Sequence, residues 1–199
     1  MNRTLNHMIL PMLVLLFLLG LAVLSAQQYE HDLQNMPSLP KPIAKEMVLI
    51  TSAGQSTDTY IVKDIANKLM IHNYFMPQSD SLEFDEINSV VFVIGYSEIS
   101  EMLFDTNYED ELTRIKKLIA ESKDMNLKII SVFIGGQHRK DEQTKTMIEL
   151  LGANSDYIIA TADGDRDQSL YQMANKNKIP ITIVNKLEDI SEPFASAFR

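Results

Sequence analysis

Between Met47 and Phe198 the chain alternates short, unbroken apolar runs with stretches of helical periodicity, and no other feature limits the fold as much. The apolar runs are Met47–Thr51, Ser89–Gly95, Lys128–Ile134, Tyr157–Thr161 and Ile181–Val184, with a weaker one at Ile71–Phe75. A strand with one wet face alternates apolar and polar residues, whereas an unbroken apolar run marks a strand covered on both faces. The helical stretches are Asp58–Leu69, Tyr108–Met125, Glu142–Leu151 and Gln168–Asn177. In the second of these, Leu112, Ile115, Leu118 and Ile119 are expected to face inward. Leu187–Phe198 is expected to close the chain as a helix that Pro193 interrupts. Buried strands separated by helices predict an α/β fold: a three-layer, doubly wound, mainly parallel sheet of about five to six strands in a single domain. Its type is Rossmann-like or flavodoxin-like, with the first strand expected near the centre.

The N-terminal region is of a different kind. Met8–Ala26 is a run of nineteen residues without a charge, preceded by a polar segment carrying Arg3. Leu24-Ser25-Ala26 ends the run in small residues, as a secretory signal does. Two readings of residues 1–26 stay open, a cleaved signal peptide or an uncleaved membrane anchor, since such a run is long enough to span a bilayer. Both place the remainder of the chain outside the cytoplasm. Residues 27–42 hold Pro37, Pro40 and Pro42 and read as an extended, proline-containing linker. The α/β domain is expected to occupy residues 43–199.

Charge and cysteine content exclude several classes of function. The chain carries 18 Lys and Arg against 27 Asp and Glu, a formal net charge of −9. Binding to nucleic acid through phosphates needs clustered cations, so no nucleic-acid partner is expected. Anionic lipid heads would repel the acidic domain, and membrane contact is expected only through the N-terminal segment. The absence of cysteine excludes disulfides, thiolate metal sites and cysteine nucleophiles. Outside the leader the histidines are His31, His72 and His138, with no HExxH pattern, and neither a metal nor a cofactor is expected.

Doubly wound sheets bind ligands beyond the carboxyl ends of their strands. The segments that fall there are Ser52–Ser56, Gly95–Glu98, Gly135–Arg139, Asp163–Asp165 and Asn185-Lys186. In the first, Ser52, Gly54, Gln55 and Ser56 are candidate hydroxyl and backbone donors at a helix start, a setting that suits an anion. Ser97 is counted with them. In the third, Gly135 and Gly136 allow close backbone approach, while His138 and Arg139 would supply charge. Asp163 could select a ligand hydroxyl or amine. For Ser56 and Asp58 the alternative is helix capping alone.

Fingerprints of known chemistry are absent. No GxGxxG or GxxxxGK[ST] occurs, and Gly54-Gln55-Ser56-Thr57-Asp58 departs from G-x-S-x-G at its last position. Ser56, His138 and Asp163 would give an order unlike that of α/β-hydrolases, and no catalytic residue is assigned. Asp163-Gly164-Asp165-Arg166-Asp167 opens like a calcium loop, but its sixth and twelfth positions hold Gln168 and Ala174 in place of Gly and Glu, and it reads as helix-capping aspartates. The acidic stretch Glu98, Glu101, Asp105, Glu109, Asp110 and Glu111 reads as a solvated face or a partner surface.

Val48–Asp58 (VLITSAGQSTD), Ile134-Gly135-Gly136, Ala162-Asp163-Gly164 with Asp167, and Ile179-Pro180 together resemble an uncharacterised family of small exported bacterial proteins, a domain of unknown function. The resemblance covers most of Met47–Phe198 and implies an export signal and an α/β fold, but no activity. The expected function is therefore an exported, non-catalytic domain that binds a small anionic ligand at the carboxyl edge of its sheet. The alternatives are a membrane-tethered interaction module with a protein partner in an envelope or transporter assembly, and a hydrolase or transferase using the same pocket.

Overall fold

The structure is a computed structural model that describes residues 38–82 and 86–199. The 1–26 segment and residues 27–37 of the linker lie outside the described residues. Among the described residues no helix is long and apolar enough to cross a membrane.

Six parallel strands form one sheet: β1 (Val48–Ala53), β2 (Asn73–Phe75), β3 (Ser89–Ile94), β4 (Lys128–Phe133), β5 (Tyr157–Thr161) and β6 (Ile181–Val184). Their order is β2-β1-β3-β4-β5-β6, the flavodoxin-like order extended by one strand. β1 is interior, as expected, but lies one strand from the edge; β3 and β4 form the central pair. Every residue of β1, β3 and β5 is buried, which accounts for their unbroken apolar sequences. The edge strand β2 has three half-buried residues and gave the weakest sequence signal.

The helices are α1 (Asp58–Lys68), α2 (Glu98–Phe104), α3 (Tyr108–Asp124), α4 (Glu142–Gly152), α5 (Ser169–Asn177) and α6 (Ser191–Ser196). Right-handed crossovers decide which face each covers. The chain moves one way from β1 to β2 and the other way from β3 onward, so α1 lies on the face opposite α3, α4 and α5. The core divides accordingly. Leu49, Phe92 and Ile129 pack with Ile115, Leu118, Met147, Leu151 and Leu170. Val48, Ile50, Val91 and Ile130 pack with Val62, Ile65 and Phe194. Residues adjacent in a strand thus enter different cores, as period-two geometry requires.

Two elements differ from the sequence expectation. Leu187–Ile190 is a 3-10 turn, and the last helix starts at Ser191. Pro193 sits in its first turn, where a missing N–H has no intrahelical partner to lose, so it does not interrupt the helix. The sequence reading contains no counterpart of α2. Of its residues only Ser100 is buried, while Ile99, Met102, Leu103 and Phe104 are exposed. A helix that keeps its apolar side chains off the core gives no inward-facing period to detect.

Candidate functional site

The loops after β1 and β3 diverge at the carboxyl edge, where the winding direction changes. Gly54 follows β1 with φ of 106°. A Cβ there would lie 2.5 Å from the Gly95 carbonyl oxygen, so the two strand ends meet through the missing side chain. Ser97 N–H donates to the Gly54 carbonyl at 2.8 Å, which links the second loop to the first. The Ser97 hydroxyl caps α2 by accepting from Ser100 N–H.

The Gly54 N–H is the kind of donor a ligand anion would take, but here it donates to Glu111 Oε1 at 2.8 Å. Gln55 Nε2 donates to Glu111 Oε2 at 2.7 Å. Arg114 Nε and Nη2 reach the same two oxygens, each at 2.7 Å, in a bidentate pair. The guanidinium also donates to the carbonyls of Ser79 and Ser52, both at 2.6 Å. The Glu111 side chain is 1% exposed. This corrects the reading of Glu111 as part of a solvated acidic face. It begins α3 on the side that continues to Ile115 one turn later, and Arg114 supplies the charge that makes its burial tolerable. Glu98, Asp105, Glu109 and Asp110 are exposed as expected. Glu101 is partly buried and accepts from the Tyr96 hydroxyl at 2.8 Å. Burial, then the Glu101 carboxylate, push that hydroxyl up to about 12, so it stays a donor.

The remaining candidates fall into two groups. Arg139 crosses from the loop after β4 to the start of α1. Its Nη1 meets both Asp58 oxygens, at 2.7 and 2.8 Å, and its Nη2 donates to Ser56 Oγ at 2.9 Å. Ser56 Oγ also accepts from Asp58 N–H at 3.2 Å, a local turn just before the N-cap residue Thr57. The Ser52 hydroxyl donates to the Pro77 carbonyl at 2.6 Å. Ser52, Gly54, Gln55, Ser56 and Arg139 are therefore brought together, and their polar groups engage one another and the framework.

Gly135, Gly136, His138 and Asp163 form the second group. A Cβ on Gly136 would overlap Asp163 Oδ2 and lie 2.9 Å from the His138 ring. His138 is exposed, and Asp163 pairs with Arg166. No hydrogen bond among the described residues joins Ser56, His138 and Asp163. The following aspartates act as capping residues. Asp165, fully buried, accepts from Leu170 and Tyr171 N–H, and its pKa is raised, burial being the main cause. Lys140 is buried with three acceptors: the Gly164 carbonyl, Asp167 and Ser169. Among the described residues no cluster of His, Asp or Glu could hold a metal ion.

The carboxylate pairings set an expected acid response. Burial raises the Asp167 carboxyl, but the Lys140 ammonium and the Ser169 amide and hydroxyl outweigh it and bring it to about 2. Glu46, before β1, is held at about 2, chiefly by its hydrogen bonds from His72 and then by Arg199. A carboxylate depressed in the fold stabilises it above the unfolded value, and that contribution is lost as pH falls from about 4 toward 2. The raised Asp165 acts in the opposite direction. Melting temperature measured from pH 5 to pH 2 should fall less steeply in Glu46→Gln and Asp167→Asn than in the parent chain. Equal slopes would show that neither pairing contributes.

Beside the ends of β1 and β2 lies a cavity of about 580 Å³, the size of a small-molecule pocket. It is lined by Tyr60, Phe75, Met76, Pro77, Leu103 and Phe104, by the buried polar residues Ser52, Gln55 and Ser56, and by the exposed Asp80. Apart from Ser52, Gln55 and Ser56, none of these stands among the site candidates read from the sequence. Met76-Pro77 directly after a strand was the available signal, and Leu103 and Phe104 gave none because α2 was unseen. A polar cleft of about 460 Å³ lies at the opposite edge, where Lys123 and Asn154, and Lys128 and Asp156, pair among themselves.

A search of curated proteins and a search of solved structures each return no significant match. One family model does match, over residues 45–198, which takes in the whole sheet and both loop groups. The chain thus belongs to the family described as Domain of unknown function (DUF6305), the kind of family that its Val48–Asp58 opening and glycine-rich loops resemble.

Proposed function

We infer that this chain is an exported, non-catalytic binding module that takes a small organic molecule with an apolar body at the carboxyl edge of its sheet. The observation that carries the reading is the 580 Å³ cavity, placed at the edge where doubly wound folds bind ligands and walled by aromatic and apolar side chains. The reading keeps the location expected from the sequence and sets aside the preference for an anion. Arg139 is neutralised by Asp58, and Glu111 already occupies the Gly54 N–H. Export rests on the uncharged Met8–Ala26 segment.

The test is a thermal-shift screen of small organic molecules graded from polar to apolar. A ligand at a hundred times its Kd stabilises by about 2.7 kcal/mol, which raises Tm by roughly 5–10 °C for a chain of this size. Phe104→Ala alters a side chain more than half exposed and should change the unliganded Tm little, whereas Tyr60→Ala also gives up the edge-to-face contact with Phe75 and should lower it by roughly 1–6 °C. Each should remove at least half of the ligand's shift. A shift untouched by both, yet abolished by Arg139→Ala, would move the site to the loop after β4.

A second reading has its own observation. Ile99 and Met102 lie on α2 outside the cavity lining, 73% and 82% exposed, beside exposed acidic residues. Such a surface suits a protein partner of a tethered module. Pull-down from membranes with the parent chain and an Ile99→Ser, Met102→Ser double variant would support it if one partner were lost with the variant.

A further inference from the structure

We propose that the ligand of the carboxyl-edge cavity is an organic cation, an ammonium group on an apolar body, with Asp80 as its counter-ion. This rests on the cavity being the binding site and names the chemistry of its occupant. Among the described residues that line it, Asp80 is the single charged side chain. It is exposed and has no hydrogen-bond or ion-pair partner among the described residues. Two guanidiniums lie behind the wall, and each is already matched by a buried carboxylate: Arg114 by Glu111, and Arg139 by Asp58. Lys63 is not a lining residue; its Nζ sits 5.5 Å from the centroid of the Phe75 ring and 3.7 Å from Asp64. The charge facing the cavity is therefore negative.

The walls fit the same ligand. Tyr60 and Phe75 meet edge to face with centroids 4.9 Å apart, and Phe104 lines the cavity from α2. Aromatic rings beside an unpaired carboxylate attract a cation through both the ring quadrupole and direct charge. The Phe75 ring already receives the Lys63 ammonium, which leaves Tyr60 and Phe104 as the rings for a ligand. An anion would meet Asp80 as a like charge, with no cation among the described lining residues to offset it. From residue 86 to residue 113 the chain has no Lys or Arg, and the exposed Glu98 and Asp105 at the two ends of α2 add to the negative field.

The test uses three probes of one shape: 4-phenylbutylamine, 4-phenylbutan-1-ol and 4-phenylbutanoate. Calorimetric titration at pH 7 should find the amine bound about tenfold or more tightly than the alcohol, with the butanoate weakest. Asp80→Asn should reduce amine affinity to that of the alcohol and leave the alcohol unchanged. Added salt should weaken the amine alone. Equal binding of amine and alcohol, indifferent to Asp80→Asn but lost in Phe104→Ala, would overturn the cation assignment and keep the cavity as the site. Binding of no probe to the parent chain, or binding unaffected by both Asp80→Asn and Phe104→Ala, would overturn both.

Discussion

Replacing Glu111 by Ala is expected to lower stability by about 3–5 kcal/mol, the usual result of removing one member of a buried ion pair. The Gly54 N–H and the Gln55 side-chain amide lose their acceptor at once, and the Arg114 guanidinium keeps neutral acceptors but loses its counter-charge. Arg114 has only 11% of its side chain exposed, so water cannot take over the role. At about 2–4 °C per kcal/mol, Tm should drop by roughly 6–20 °C. Glu109→Ala, an exposed change in the same turn, should stay within about 0.5 kcal/mol. Changing Glu111 and Arg114 together to Leu should recover part of the loss, since no charge is then stranded. A Glu111→Ala variant as stable as Glu109→Ala would show that the pair does not hold the β1 loop. The distinction matters for function, because this carboxylate occupies the donor that a ligand anion would otherwise contact.

Gly54→Ala is expected to cost about 2–6 kcal/mol, from two sources of about 1–3 kcal/mol each. The first is backbone strain, since φ of 106° is beyond what residues with a Cβ adopt readily. The second is overlap: the new Cβ would lie 2.5 Å from the Gly95 carbonyl oxygen and 2.8 Å from Met147 Sδ. The carbonyl cannot easily retreat, because Gly95 N–H is held by the Ala53 carbonyl at 2.9 Å. Gly152→Ala is the informative comparison. Its Cβ would press on the flexible Met173 side chain, which can rotate away, so the cost should be smaller. Equilibrium urea denaturation of both variants measures the difference. A Gly54→Ala loss no greater than that of Gly152→Ala would refute the close approach of the two strand ends. Gly54 and Glu111 share a hydrogen bond, so their losses should not add.

Much of the sheet was legible because burial on both faces leaves a direct trace in sequence. Tyr157–Thr161 and Ile181–Val184 carry the same limits in both descriptions, and Ser89–Gly95 and Lys128–Ile134 differ from the observed strands by one residue. Helix α3 shows where the trace becomes ambiguous. Ile115, Leu118 and Ile119 are buried as expected, but at its start Leu112 is half-exposed and Glu111 is inside. A glutamate in a first helical turn reads as a solvated residue favoured by the helix dipole, and nothing local distinguishes one that meets an arginine and a glycine amide from distant segments. The candidate site followed the same division. Its position followed from the fold class, whereas the partners of its residues did not. Arg139 reads as an available cation until Asp58, 81 residues away in sequence, is seen against it.

From residue types alone follow the α/β class, the succession of the six strands and four of the helices between them, and with that class the edge where a ligand is expected. These depend on which faces are buried, and burial selects residue types one position at a time. Strand order, the existence of α2, the enclosure of Glu111 with Arg114 and the cavity lined in part by Asp80 came instead from contacts in three dimensions. Each of those depends on groups far apart in the chain coming within a few ångströms. Charge pairing and cavity shape arise from such meetings, and no residue carries them alone.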